Sequence, residues 1–502
     1  MHFELRSPLF FLILVLLFAS CSSKPKDTDT ALKYIPSDAI SATSIHLETL
    51  LEKMDFEGMK QMSFFKDALE EVSKTDPELP GFLADPWSMG IALDKPIYVI
   101  QQVNTKNPSE VFMAVMATVH DAAAVNKMMS LMEGERKNGS GFKYVEIEEA
   151  LAAWNEELVV FGSGTESMDL QKYAEQLFQT TPEESLMSRS DIQPFSNSTH
   201  DISTMLTLDA IPDISDAALA LSLSGISPES LKGGHAYGYL DFGNGAIDGR
   251  ATWDFDREFS KHFAPFFKDK PQKNLLGLLP VEGLAMEMSG ALSPEGIHLF
   301  LSERPQYKSM ANYTLQSAGL QVDDVLEALG GDLAVGVYNQ DVIMVTDVKD
   351  SKAFDKLLEA GRKLSLMTDS GDGTYRFNDN FADPEMYLVV KNNLALLGSD
   401  PQVLADIAEG KGKKNRKFAE SLFSMSMDLV GMRWLMADMD LSTGLADNFI
   451  AAFGGMKADV QVDREEMNVR MDMENKDANI LATIIMQLEE AYQSENENTL
   501  NF

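Results

Sequence analysis

The sequence predicts an α+β fold in two tandem, structurally similar halves, each with antiparallel sheets covered by helices and ending in a β-hairpin plus helix. Three observations carry it. Strand-like runs follow one another directly, with helices interspersed, and parallel βαβ alternation is not seen. The closing hairpins alternate an apolar face with a polar one, a solvated face that parallel sheets rarely allow. Two short matches recur at one offset: Phe161-Gly162-Ser163 with Leu397-Gly398-Ser399, and Glu184 to Ser188 with Glu420 to Ser424. The spacing is 236 residues in both, 397 less 161 and 420 less 184.

Taken in order, residues 1–20 read as a lipoprotein signal peptide. Arg6 is followed, after Pro8, by the ten apolar residues Leu9 to Phe18, then Ala19, Ser20 and Cys21. A helix needs about 20 apolar residues to cross a bilayer about 30 Å thick, so this run is a signal segment and not a span. Small residues before a cysteine resemble the bacterial lipobox, in which the cysteine is acylated and becomes residue one; Phe18 stands where that pattern usually has Leu. The alternative is an ordinary cleaved signal with an incidental cysteine. Cys21 is the only cysteine. Once it is lipidated, the mature chain of 482 residues (502 less 20) has no free thiol, which removes disulfides, thiolate nucleophiles and cysteine-based zinc sites together. Several acyl chains, at about 0.8 kcal/mol per buried CH₂, would hold it firmly on a membrane.

Residues 21–33 read as a flexible polar tether. Ser22 resembles the residue of lipoproteins released to the outer membrane. Lys24 and Lys26 dilute the acids Asp27 and Asp29 that would mark surface export, so the periplasmic and surface faces both stay open.

The first half spans 34–267 and the second 274–492, with the polar stretch Lys268 to Lys273 between them and a polar tail at 493–502. Ile35-Pro36 leads into a strand from Ala39 to Ile45, as Leu279-Pro280 leads into one from Gly283 to Met288. Asp121 and Asp350 are N-caps of helices running to Met129 and Leu358. Asp400-Pro401 opens another helix and Gly410 closes it. In the first closing hairpin Asn244-Gly245 is the turn, with Ala251, Trp253 and Phe255 on one face. In the second, Met467, Val469, Met471 and Met473 alternate with Asn468, Arg470, Asp472 and Glu474. A helix-like segment follows each.

At Ile35-Pro36-Ser37-Asp38-Ala39, Ser44-Ile45-His46-Leu47 and Asp85-Pro86-Trp87-Ser88-Met89-Gly90-Ile91, and at a Gly-Ile-x-x-x-x-Pro-Ile-Tyr strand from Gly90 to Tyr98, the chain resembles a family of bacterial lipoproteins known only as domain of unknown function 4836. The likeness runs over most of the mature chain. It implies an anchored envelope protein and carries no catalytic residue.

Composition narrows function further. With 44% hydrophobic and 24% charged residues the chain is neither disordered nor collagen-like, and it is long enough for two or three cored domains. The balance of 42 Lys and Arg against 78 Asp and Glu, net −36, repels phosphate backbones and sets nucleic acid aside. His2, His46, His120, His200, His235, His262 and His298 form no His-x-x-x-His pair and read as surface or satisfied core residues. Nucleophile-elbow, phosphate-loop and dinucleotide fingerprints are missing, so no catalytic residue, metal ligand or cofactor is assigned.

Three further features weigh more towards structure than function. Asp369 to Asp383 gathers Asp369, Asp372, Asn378, Asp379, Asn380 and Asp383, oxygen ligands that suit a hard cation but are also ordinary turn formers. Lys411, Lys413, Lys414, Arg416 and Lys417 form a basic run that could meet a polyanion or complete a helix C-terminus. Met425, Met427, Met432, Met436 and Met439 could offer thioethers to Cu(I), but at this spacing read as adaptable core.

The expectation is a non-enzymatic, lipid-anchored envelope protein, held to the membrane through acylated Cys21 and binding another envelope protein or a surface polymer. A carrier or sensor of a small or apolar ligand held between the halves is the alternative. A hydrolase built on two facing carboxylates stands third.

Overall fold

The computed structural model describes residues 31–500, apart from 76, 105–106, 133, 148, 166–167, 210–227, 256–263, 339–340, 379–384, 412–420 and 429–455. Signal peptide, Cys21 and the tether as far as residue 30 therefore lie outside the described residues, as do residues 256–263 after the first closing hairpin. The last three tether positions belong to the folded body: Ala31 and Leu32 are buried and Leu32–Tyr34 forms a 3-10 turn, because Ala31, Leu32 and Tyr34 join the core of the first unit. The chain divides into two compact units, Met1–Asp256 with Asn475–Phe502, and Arg257–Glu474.

In the first unit, β1 (Ser41–Ile45) is followed by α1 (Leu47–Met54), α2 (Ser63–Thr75) and α3 (Leu79–Ala84). Next come β2 (Ile97–Asn104), β3 (Asn107–Thr118) and α4 (Ala122–Ser130), then β4 (Arg136–Asn138), β5 (Lys143–Ile147), β6 (Ala150–Trp154), β7 (Leu158–Gly164) and α5 (Leu170–Gln179). The unit continues through β8 (Ile202–Thr207) to the hairpin of β9 (His235–Gly243) and β10 (Ala246–Asp254). Every pairing is antiparallel, in the order β10-β9-β8-β1-β2-β3-β7-β6-β5-β4.

Alternation splits this sheet's apolar residues between two cores. Tyr98, Ile100, Met116 and Val160 face one side, where Leu32, Ile35, Leu177 and Leu186 cover them. Ile97, Ala117, Val159 and Trp154 face the other, against Leu47, Leu51, Phe65, Val125 and Met129. Asp121 caps α4 as its sequence position predicts, accepting from the Ala123 and Ala124 amides.

The second unit holds β11 (Leu284–Ala291), then α6 (Pro294–Glu303), α7 (Pro305–Gln316) and α8 (Val322–Ala328). It goes on with β12 (Leu329–Tyr338), β13 (Asp341–Val348), α9 (Ser351–Lys363), β14 (Met367–Gly371), β15 (Thr374–Phe377), β16 (Tyr387–Lys391), β17 (Leu394–Gly398) and α10 (Pro401–Ala408). It ends with β18 (Phe423–Asp428), β19 (Lys457–Val462) and β20 (Glu466–Asp472). Its antiparallel order is β20-β19-β18-β11-β12-β13-β17-β16-β15-β14, which repeats that of the first unit strand for strand. Asp350 and Asp400 cap α9 and α10, and Gly410 sits at φ 73° just past α10.

Cross-strand register permits a residue-level comparison. The row Val160–Met116–Tyr98–Ser44–Ser203–Tyr239–Arg250 in the first sheet stands where the second has Leu396–Val345–Ala334–Ser289–Ser424–Gln461–Asn468. Val160 and Leu396 are separated by the same 236 residues as the Phe161 match. The Glu184 match behaves differently: Leu186–Ser188 is a 3-10 turn, whereas Phe423 and Ser424 open β18. Such a short peptide serves both places because each needs one buried leucine, Leu186 or Leu422.

The boundaries of the halves differ from the sequence reading in three places. The first half, read as running to 267, ends at Asp256, and Phe267 pairs with Leu292 inside the second unit. Lys268 to Lys273 belongs to the second unit and is no loose junction: buried Asp332 accepts from Lys268 Nζ at 2.6 Å and from the amides of Gln272 and Lys273 at 2.8 and 2.6 Å. The chain's end returns to the first unit, and the expected polar tail is helical, in a helix spanning Ile480–Leu500. Asn479 Nδ2 donates to the Phe242 carbonyl at 2.9 Å, and the Gly245 amide to the Ala478 carbonyl at 2.9 Å. Gly245 has φ 58°, and a Cβ there would lie 2.3 Å from the Asn475 carbonyl oxygen, so glycine serves the turn and the close approach together. In the sheets β8 joins β9 to β1, and β18 joins β19 to β11.

Candidate functional site

The residues singled out by sequence are dispersed. Cys21 is outside the described residues. In the acidic loop, Asp369 Oδ1 accepts from the Gly371 amide at 2.8 Å and Asn378 bonds Thr368 Oγ1 at 3.3 Å, so their oxygens close their own hairpin. Asp372, at φ 53° between Gly371 and Gly373, forms its turn. Asp379, Asn380 and Asp383 lie outside the described residues. Of the basic run only Lys411 is described, and it pairs with Glu409 at 2.7 Å and Asp406 at 3.0 Å. Lys391 and then Lys411 hold the Glu409 carboxyl down to about 2. Met425 and Met427 line β18, while Met432, Met436 and Met439 are outside the described residues.

Chemistry-bearing side chains converge most closely at the β8–β9 end of the first unit. His200 Nδ1 donates to Asp241 Oδ2 at 2.7 Å, and its ring stacks on Tyr239 with centroids 3.5 Å apart and planes 3° from parallel. Asp241 Oδ1 accepts from the Asp201 amide at 3.2 Å. Asp201, buried, pairs with Lys53 Nζ at 2.5 Å and accepts from the Phe242 amide at 2.6 Å. His46 Nε2 lies 3.2 Å from the Ser198 carbonyl, and burial pulls the His46 pKa below the ordinary imidazole value. Ser198 and Ser203 share a hydroxyl bond, with Tyr237 OH 3.4 Å from Ser198 Oγ.

Each carboxylate and histidine here has a named protein partner, so the cluster joins β1, α1, β8 and β9 rather than presenting a free base. The hydroxyl of Ser44, opposite Ser203 on β1, is buried with no hydrogen-bond partner among the described residues. Sequence reading missed this cluster because His200 and Asp241 are 41 residues apart. The adjacent pair His200-Asp201 was its one local trace.

The second unit has its own buried carboxylates. Asp332 is bonded as described above, its amide donates to Asp347 Oδ1 at 3.1 Å, and Lys273 Nζ lies 3.2 Å from Asp347 Oδ2. The adjoining pocket, lined by Lys273, Asn274, Leu275, Ser289, Gly290 and Asp332, holds about 10 Å³, room for one water. A paired-acid hydrolase needs carboxylates flanking a substrate-sized cleft, which this is not. Among the described residues no three His, Cys, Asp or Glu side chains converge on a cation-sized point, and no helix is long and apolar enough to cross a membrane.

Comparison with known proteins gives three findings. Residues 32–427 match the family model described as domain of unknown function DUF4836. No curated protein matches the chain. Among solved structures, crystal form III of TP0453 is 12% identical, with 47% of this chain and 81% of that one covered at a TM-score of 0.27. Crystal form I of the same protein is 10% identical, with 46% and 80% covered at 0.26.

Proposed function

Because the chain belongs to the family of domain of unknown function DUF4836, whose description names no chemistry, we propose from its own residues that it is a lipid-anchored protein of the bacterial cell envelope, placed at the outer membrane, that binds another envelope protein or a surface polymer without catalysing a reaction. The observation that carries this reading is Cys21, the only cysteine, set behind Ala19-Ser20 and the ten-residue run Leu9 to Phe18. Two structural features support it. The first described residues are pinned to the body: Glu157 accepts from Lys33 Nζ at 2.6 Å and from Tyr34 OH at 2.7 Å. Those bonds hold the Glu157 carboxyl below its ordinary value. In addition, α7 buries none of its residues and presents Met310 and Tyr313 at 72% and 79% exposure, which suits contact with a partner.

The anchor is tested by growing cells with a clickable fatty acid. The native chain should carry label and sediment with membranes, and Cys21→Ala should lose both; a labelled Cys21→Ala variant would refute acylation at this residue. The binding role is tested by crosslinking in cells, affinity purification and mass spectrometry. A reproducible, near-stoichiometric protein or polymer partner is expected, and recovery of the chain alone would overturn it.

A further inference from the structure

We propose that β11 and β18 of the second unit carry a binding site for a soft monovalent cation, Cu(I), made of the thioether sulfurs of Met286, Met288, Met425 and Met427. Two Met-x-Met segments run antiparallel in register here, so that Met286 lies opposite Met427 and Met288 opposite Met425. Alternation along a strand puts residues i and i+2 on one face, about 7 Å apart, and directly opposed residues have Cβ atoms about 4.5–5.5 Å apart. The four methionines therefore stand at the corners of one small rectangle on one face of the sheet. Glu287 and Ser426, which lie between them in sequence, belong to the other face.

The rectangle has an apolar frame. Val335 and Val337 on β12 flank Met288 and Met286, and Val460 and Ala458 on β19 flank Met425 and Met427. These eight positions include no carboxylate or amine, and the four methionines are half-buried, neither sealed in a core nor fully in water. Methionine is unbranched and flexible, so four sulfurs rooted this close can turn towards one ion. Thioethers are soft ligands of the kind that select Cu(I), whereas Mg, Ca and Mn prefer carboxylate, carbonyl and water.

The first unit shows that the fold does not call for methionine at these places. Ser44 stands in its sheet where Ser289 stands in the second, so Ser41, Thr43, Thr204 and Leu206 occupy the four matching positions. There the Thr43 and Thr204 hydroxyls lie 3.0 Å apart and bond each other. One strand order in one register thus accepts three hydroxyls and a leucine in the first unit, and carries four thioethers in the second.

The site is tested by equilibrium dialysis of the full-length chain in detergent, without oxygen, against Cu(I) kept reduced by ascorbate and soluble by acetonitrile. Any free thiol at Cys21 is first blocked with N-ethylmaleimide. The native chain should retain Cu(I), and X-ray absorption of the loaded protein should show sulfur as the coordinating atom. Met→Leu swaps keep apolar volume, so the double variants Met286→Leu/Met425→Leu and Met288→Leu/Met427→Leu should keep the native circular dichroism and urea midpoint while each binds Cu(I) at least tenfold more weakly. Met310→Leu, on the exposed α7, should bind as the native chain does. No Cu(I) retained by the native chain, native affinity in both folded double variants, or coordination by nitrogen or oxygen alone would overturn the proposal and leave the four methionines an apolar contact face.

Discussion

At the scale of single residues, the two sheets solve one packing problem differently. Ser289 and Ser424 face each other across β11 and β18 and share a bond of 2.6 Å. At the matching place Ser203 bonds Ser198, and the buried Ser44 hydroxyl has no partner among the described residues. A hydroxyl removed from water without a bond costs stability, whereas a satisfied pair is stranded by removing one member. Ser44→Ala should therefore be neutral or stabilising by up to about 1 kcal/mol, and Ser289→Ala destabilising by about 1 kcal/mol, as read by urea denaturation. The opposite order would refute the pairing.

His46 gives a pH signature. Its folded-state pKa is lowered by burial, so its neutral form stabilises the fold above the ordinary imidazole value. That contribution is lost as pH falls through the folded value. The urea midpoint of the native chain should drop more between pH 7.5 and 5 than that of His46→Gln. Parallel pH profiles would show that His46 carries no such linkage.

At the scale of elements, the helix spanning Ile480–Leu500 acts as a cap for another helix. Glu489 is buried and accepts from the Ser63 amide at 2.8 Å and the Phe64 amide at 3.2 Å, satisfying two donors at the start of α2. Burial pushes its pKa up, and the Ser63 and Phe64 amides together with the Gln493 and Ser63 side chains leave a net lowering. Tyr492 OH adds a 2.9 Å bond to Asp67. Glu489→Ala should cost about 1–2 kcal/mol, in the range of a lost helix cap, and hydrogen exchange should show the Ser63 and Phe64 amides losing protection. Unchanged exchange there would mean that the carboxylate is dispensable.

Helix starts were legible in the sequence, because a cap is a local bond: Asp121, Asp350 and Asp400 each accept from amides two or three residues on. The Glu489 cap was not legible. Its donors are 426 and 425 residues away.

At the scale of the whole molecule, the return of Asn475–Phe502 makes the first unit discontinuous in sequence, with the second unit inserted before its last helix. Deleting 475–502 should weaken hydrogen-exchange protection in α1, α2 and the β9–β10 turn while β12, β13 and β17 stay protected. Uniform loss in both units would argue that they unfold together. The sequence by itself determined the α+β class, since period-2 alternation and direct strand succession are properties of neighbouring residues. It likewise determined the acidic charge, the helix caps and the family. Only the tertiary structure decided that the strand order of one unit repeats in the other, that Lys268 to Lys273 is clamped by Asp332, that His200 meets Asp241, and that the chain's end belongs with its beginning. Each depends on pairing between residues tens to hundreds of positions apart, selected by shared burial and mutual satisfaction of donors and acceptors, which no local window of sequence records.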